Sequence, residues 1–126
     1  MSDFTSEIPD DYHPAPGKTT IAAEVLTTIA RLTTLDVPGV SRMAAVPSAV
    51  DRLFSRTMGE GVRISLDNDT VSTDLYVVLQ PERPLRQVGK QIQIRVERAL
   101  SEMVGMQVGR INVHIEDIDY PSERGT

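Results

Sequence analysis

Apolar residues recur at steps of three and four through residues 84–104: Leu85, Val88, Ile92, Val96, Ala99, Leu100 and Met103. That spacing gathers them on one face of a 3.6-residue turn and predicts a long amphipathic helix. Pro84 suits the first helical position, where no backbone N–H is needed. Gly105 stands just past the last apolar residue, where a left-handed cap is wanted. At roughly 1.5 Å per residue the helix is about 30 Å long, enough to cover one face of a small sheet.

The same reading extends in both directions. Ile21, Val25, Ile29 and Leu32, with Ala22, Leu26 and Ala30 beside them, predict a first helix over 22–34. A short extended segment over 18–21 precedes it, and Pro38-Gly39 breaks the chain shortly after it. Val37, Val40 and Met43 suggest a short strand or packed loop. Strict alternation then takes over. Val62, Ile64 and Leu66 alternate with Arg63, Ser65 and Asp67; Val71, Thr73, Leu75, Val77 and Leu79 alternate with polar and smaller positions. Asp67-Asn68-Asp69-Thr70 between them is a turn cluster, so the pair reads as a β-hairpin with Asp74 facing away from the core. Val108, Ile111, Val113 and Ile115 mark a last strand, whose alternate residues are Arg110, Asn112, His114 and Glu116. Residues 44–61 are the least periodic. A short helix over 48–58, with Val50, Leu53, Phe54 and Met58 inward, and a mobile loop both fit them.

The order β-α-β-β-β-α-β is that of an α+β, two-layer sandwich: a small three- or four-stranded, mainly antiparallel sheet covered by two helices. Length argues for one domain over 18–120. Residues 1–17, with Pro9, Pro14 and Pro16 among Asp3, Glu7, Asp10 and Asp11, read as a disordered acidic tail, and 121–126 as a second short tail.

Composition narrows the chemistry. Hydrophobic residues make up 40% of the 126 and aromatics only 4%, so the core is aliphatic. With no cysteine there is no disulfide, thiolate nucleophile or Cys-ligated zinc. No stretch approaches the roughly 18 apolar residues of a membrane span, and the N-terminus lacks the apolar run of a secretory signal, so a cytoplasmic protein without direct membrane insertion is expected. The net charge is −5, while the 19–120 body holds 13 acids against 11 bases. A nucleic-acid-binding domain is normally basic, so nucleic acid is not expected as a partner.

Individual motifs carry little chemistry. Gly17-Lys18-Thr19-Thr20 resembles the end of a phosphate-binding loop, but Tyr12 stands where that loop needs its first glycine. Asp67-Asn68-Asp69 opens like a calcium loop, but Ser72 and Val78 occupy the places of its glycine and glutamate. His114 and Glu116 share a strand face, which is too few ligands for a catalytic zinc site. No metal or cofactor is implied, and nothing points to an enzyme. The candidate interaction surface is the charged face of the long helix, with Arg86, Lys90, Arg95 and Arg98, together with Asn112, His114 and Glu116 on the last strand. Its basic helix and the acidic strand end at Glu116, Asp117 and Asp119 could pair between copies.

An ordered set of segments resembles the alkaline-shock protein family of bacterial envelope and general stress proteins. It begins with Gly17-Lys18-Thr19-Thr20-Ile21-Ala22-Ala23-Glu24-Val25-Leu26, Ile29-Ala30-Arg31-Leu32 and Val37-Pro38-Gly39-Val40. It continues through Gly61-Val62-Arg63-Ile64, Asp74-Leu75-Tyr76-Val77-Val78 and Gln91-Ile92-Gln93, and ends in Glu102-Met103-Val104-Gly105-Met106-Gln107-Val108 and Ile111-Asn112-Val113-His114-Ile115. The resemblance spans 17–120. Two departures stand out: Ala22 replaces a small polar helix-starting residue, and Gln80-Pro81-Glu82-Arg83-Pro84 replaces a loop that often carries a tyrosine-glycine pair.

The resemblance implies a non-enzymatic cytoplasmic protein acting by self-association and protein–protein contacts beneath the membrane, a homo-oligomer held there by a small membrane-anchored partner. It also admits an accessory regulator of a lipid-metabolism enzyme such as a fatty-acid kinase. A KH-like RNA-binding protein shares part of the element order, but the glycine pairs Gly59/Gly61 and Gly105/Gly109 have the wrong spacing for the G-x-x-G clamp.

Overall fold

The computed structural model describes residues 15–47 and 57–121. It contains helix α1 (Ala23–Leu35), strands β1 (Val40–Met43), β2 (Thr57–Gly59), β3 (Val62–Asp67) and β4 (Thr70–Leu79), helix α2 (Leu85–Ala99), a single π-turn (Leu100–Val104) and strand β5 (Gln107–Ile118). The expected two-layer α+β sandwich is the architecture. Within it, 18–21 forms no strand and β2 supplies a strand that periodicity did not show, so the sheet has five strands. The suggested helix over 48–58 falls mostly outside the described residues.

β4 is the centre of the sheet. Its alternation works as expected: Val71, Leu75, Val77 and Leu79 point into the core with Leu26, Ile92, Val96 and Leu100 from the helix layer. Ser72, Asp74 and Tyr76 point to the opposite, outer face. One edge of β4 is shared end to end by two strands. β3 pairs antiparallel along Thr70 to Leu75, and β1 pairs antiparallel along Val77 to Leu79. β2 pairs outside β3, and β5 runs parallel to β4 along its other edge.

The β1–β3 junction depends on Gly61. It has φ +71, and a Cβ there would lie 2.7 Å from the Ala44 carbonyl oxygen and 2.9 Å from that of Tyr76. Only a residue without a Cβ lets two strand ends meet over one partner.

Helix α2 buries Val88, Ile92 and Val96, the middle of its predicted stripe. The two ends of the stripe behave differently. Pro84 is the N-cap rather than the first helical residue, and Leu85 is exposed. At Leu100 the winding widens into the π-turn, which rotates Met103 off the apolar face to 69% exposure. Gly105 closes the turn in the left-handed conformation, φ +78. Glu82, in the loop before α2, also has a positive φ, +61.

Helix α1 packs on a face offset from the Ile21, Val25, Ile29 and Leu32 stripe and centred on Leu26 and Ala30 beside it. Leu26, Thr27, Ala30 and Thr34 are buried, while Val25 is 44% and Leu32 54% exposed. The two threonines are buried without penalty because each hydroxyl donates to its own helix: Thr27 Oγ1 to Glu24 O at 2.8 Å and Thr34 Oγ1 to Ala30 O at 2.7 Å.

Candidate functional site

The open edge of β5 is the feature around which the predicted interaction residues collect. Strand residues point their N–H and C=O groups alternately to the two edges. Tyr76 N–H donates to Gly61 O and Tyr76 O accepts from Ala44 N–H, so Tyr76 looks toward β3 and β1. Its odd-numbered neighbours on β4 therefore look toward β5, as the bond from Asp119 N–H to Leu79 O confirms. In a parallel pair, a residue whose amides reach across stands beside one whose amides point away. Thr73, Leu75 and Val77 stand beside Ile111, Val113 and Ile115. The backbone groups of these three β5 residues consequently face outward, and among the described residues no strand pairs with them. One has a partner from the helix layer: Gln93 Nε2 donates to Ile111 O at 3.0 Å.

On the helix side of this edge lies an open groove of about 440 Å³ between α2 and β5. Arg86, Lys90 and Gln93 line it with Leu85, Val113 and Ile115. Gly89 also lines it, and a Cβ at that position would have nothing within 4 Å. The groove is thus basic at its rim and apolar at its wall.

On the outer face, β5 carries a row of polar side chains joined to the sheet through Asp74. Arg63 Nη2 donates to Asp74 Oδ2 at 2.6 Å. Asn112 Nδ2 donates to Asp74 Oδ1 at 3.1 Å, and His114 Nε2 is 2.9 Å from the same oxygen. The Asp74 side chain is only 13% exposed and that of Arg63 15%. The His114 ring stacks on Tyr76, with centroids 4.5 Å apart and planes 12° from parallel. A carboxylate that receives three donors, one a guanidinium, is a rigid structural node. It fixes β3, β4 and β5 in register.

The predicted surface residues are therefore distributed over distinct places. Arg86 and Lys90 border the groove beside β5. Arg95 faces the other flank of α2, 3.8 Å from Asp36, in a smaller groove with Arg83, Pro38 and Gln91. Arg98 is exposed on α2, and its carbonyl accepts from Ser101 Oγ at 3.3 Å. Asn112 and His114 lie on the outer face, across the sheet from the helix cations, and Glu116 is exposed near the end of β5. What unites Arg86, Lys90, Asn112, His114 and Glu116 is the β5 edge, not a single face. Sequence reasoning missed Arg63, Tyr76, Gln93 and Gly89. Arg63 and Asp74 stand opposite each other in the hairpin, a pairing readable only once its register is known.

Among the described residues, no helix is long and apolar enough to cross a membrane, and no group of three or more His, Asp or Glu side chains is placed to hold a metal ion.

Residues 12–120 match the model of a family described as having a cell envelope-related function. The chain belongs to the alkaline-shock protein 23 family. Among relatives, it is 28% identical over 109 residues to the protein YqhY of Bacillus subtilis, covering 85% of this chain and 81% of that one. It is 30% identical over 103 residues to the protein Spy1535 of Streptococcus pyogenes, covering 81% and 79%. Solved structures that align with it include two of MamM CTD, each with a TM-score of 0.49. They are 17% and 16% identical, and the alignments cover 75% and 76% of this chain and 96% and 99% of those chains.

Proposed function

We propose that this member of the alkaline-shock protein 23 family is a non-catalytic protein of envelope and general stress homeostasis. It works by self-association and by protein–protein contacts beneath the membrane. The family's envelope-related description supports the setting. The observation that carries the mode of action is the β5 edge: outward amides at Val113 and Ile115, beside a groove rimmed by Arg86 and Lys90. An unpaired strand edge is a template for another chain, because the added strand satisfies backbone groups that otherwise depend on water. Placement at the membrane then comes from a membrane-anchored partner protein.

A fluorescent fusion in the native host tests this reading. A rim of signal at the cell periphery is expected, and it should collapse when the captured anchoring partner is deleted. A diffuse signal, with the chain recovered in a fixed-stoichiometry complex with a lipid-metabolism enzyme, would replace this reading with that of an accessory regulator.

A further inference from the structure

We propose that the outer edge of β5 pairs with the same edge of a second copy of this chain. The two strands run antiparallel about a two-fold axis at Val113, and Arg110 of each copy faces Glu116 of the other. This rests on the self-association proposed for the family member and names the surface that performs it.

Three observations converge on that register. The first is the direction of the amides. Ile111, Val113 and Ile115 present theirs outward, so only registers that set these odd positions against each other form a ladder. The second is the extent of regular strand. The β4–β5 register shifts between Val71 and Thr73 and again between Val77 and Val78, which leaves Ile111 to Ile115 as the regular stretch between two irregularities. A two-fold axis at Val113 lays this stretch on itself, with Val113 against Val113, Ile111 against Ile115 and Asn112 against His114. The Ile111 carbonyl, which already accepts from Gln93, keeps a second lone pair for the incoming Ile115 N–H.

The third is charge. At the two irregularities that flank the regular stretch, the same axis brings Arg110 of one copy to the end of the ladder where Glu116 of the other lies. Both side chains are exposed, and neither has an ion pair among the described residues. An axis at His114 would instead set Arg110 against Ile118, and an axis at Asn112 would set it against His114. Of these three axes, only the one at Val113 neutralises both charges. Opposite charges brought together across an antiparallel seam are favourable and like charges unfavourable, so this axis is the one the charges favour. On the helix side, Arg86 and Lys90 of the two copies border the same seam with like charge. The pairing is therefore carried by the ladder and by the Arg110–Glu116 pairs at its ends.

Sedimentation equilibrium of the full chain, across a wide concentration range, tests the proposal with Arg110→Glu, Glu116→Arg and the double exchange. The wild type should dimerise. Each single reversal turns both end pairs repulsive and should weaken the dimer about tenfold or more. The double exchange restores opposite charges and should recover wild-type association. Because both positions are exposed, all three variants should melt with the wild type at dilutions where every form is monomeric, which a thermal scan verifies. Single variants that associate as tightly as wild type, or a double exchange that fails to recover, would overturn this register while leaving self-association through another surface intact. A wild type that stays monomeric throughout would overturn both.

Discussion

Replacing Gly61 by alanine should destabilise the domain strongly. The residue has φ +71, which costs a side chain with a Cβ about 1–2 kcal/mol. The added methyl would also meet Ala44 O and Met43 Cβ at 2.7 Å and Tyr76 O at 2.9 Å. These atoms cannot yield cheaply. Tyr76 O is already held by Ala44 N–H at 2.7 Å, and Met43 is locked in the β1–β4 ladder. Forcing a methyl into a filled interior costs about 1–3 kcal/mol. The total is about 2–5 kcal/mol, a large share of the roughly 5–15 kcal/mol that holds a domain folded. For a body of this length the melting temperature should fall by on the order of 12 °C. Gly105→Ala is the control. Its φ is +78, but a Cβ there has nothing within 4 Å, so it bears the backbone term alone. Urea titrations of both variants should differ by about 2 kcal/mol. Equal losses would refute the close approach of β1 and β3 over β4.

Two further substitutions probe the two faces of β4. Thr73 is fully buried on the core face, and its Oγ1 has no hydrogen-bond partner among the described residues; Thr73→Val should therefore raise stability by about 1 kcal/mol, read as a higher urea midpoint at unchanged slope. A lower midpoint would mean that the hydroxyl is satisfied in solution. On the outer face, Asp74→Ala leaves the Arg63 guanidinium without its 2.6 Å carboxylate partner in a half-buried place and should cost about 2 kcal/mol, with weaker hydrogen-exchange protection along β5. Unchanged protection at Asn112 and His114 would show that the node does not hold β5.

Much of the fold was legible because periodicity reports burial. The stripe through Val88, Ile92 and Val96, the alternation along β4 and the turn at Asp67 to Thr70 all reappear in the structure. Periodicity failed in part on α1. Helix α1 turns Val25 and Leu32 outward and buries Leu26, Ala30 and Thr34, a face offset from the stripe Ile21, Val25, Ile29 and Leu32. It failed again at β2, whose three residues are too few to show any alternation. The candidate surface was half legible. Asn112, His114 and Glu116 alternate visibly, but their relation to Arg86 and Lys90 depends on α2 lying over β5.

By itself, the sequence determined much of the local geometry of this protein: that α1 and α2 wind, that β3, β4 and β5 extend, that the chain turns at Asp67 to Thr70 and that its core is aliphatic. Those properties depend on a side chain and its near neighbours along the chain. Only the tertiary structure decided that β3 and β1 share one edge of β4, that Arg63, Asn112 and His114 converge on Asp74, and that β5 lines the other edge of β4 with no strand beyond it among the described residues. Such pairings join positions tens of residues apart. They are set by which strands bury their apolar faces together against the same two helices, and no local pattern carries that information.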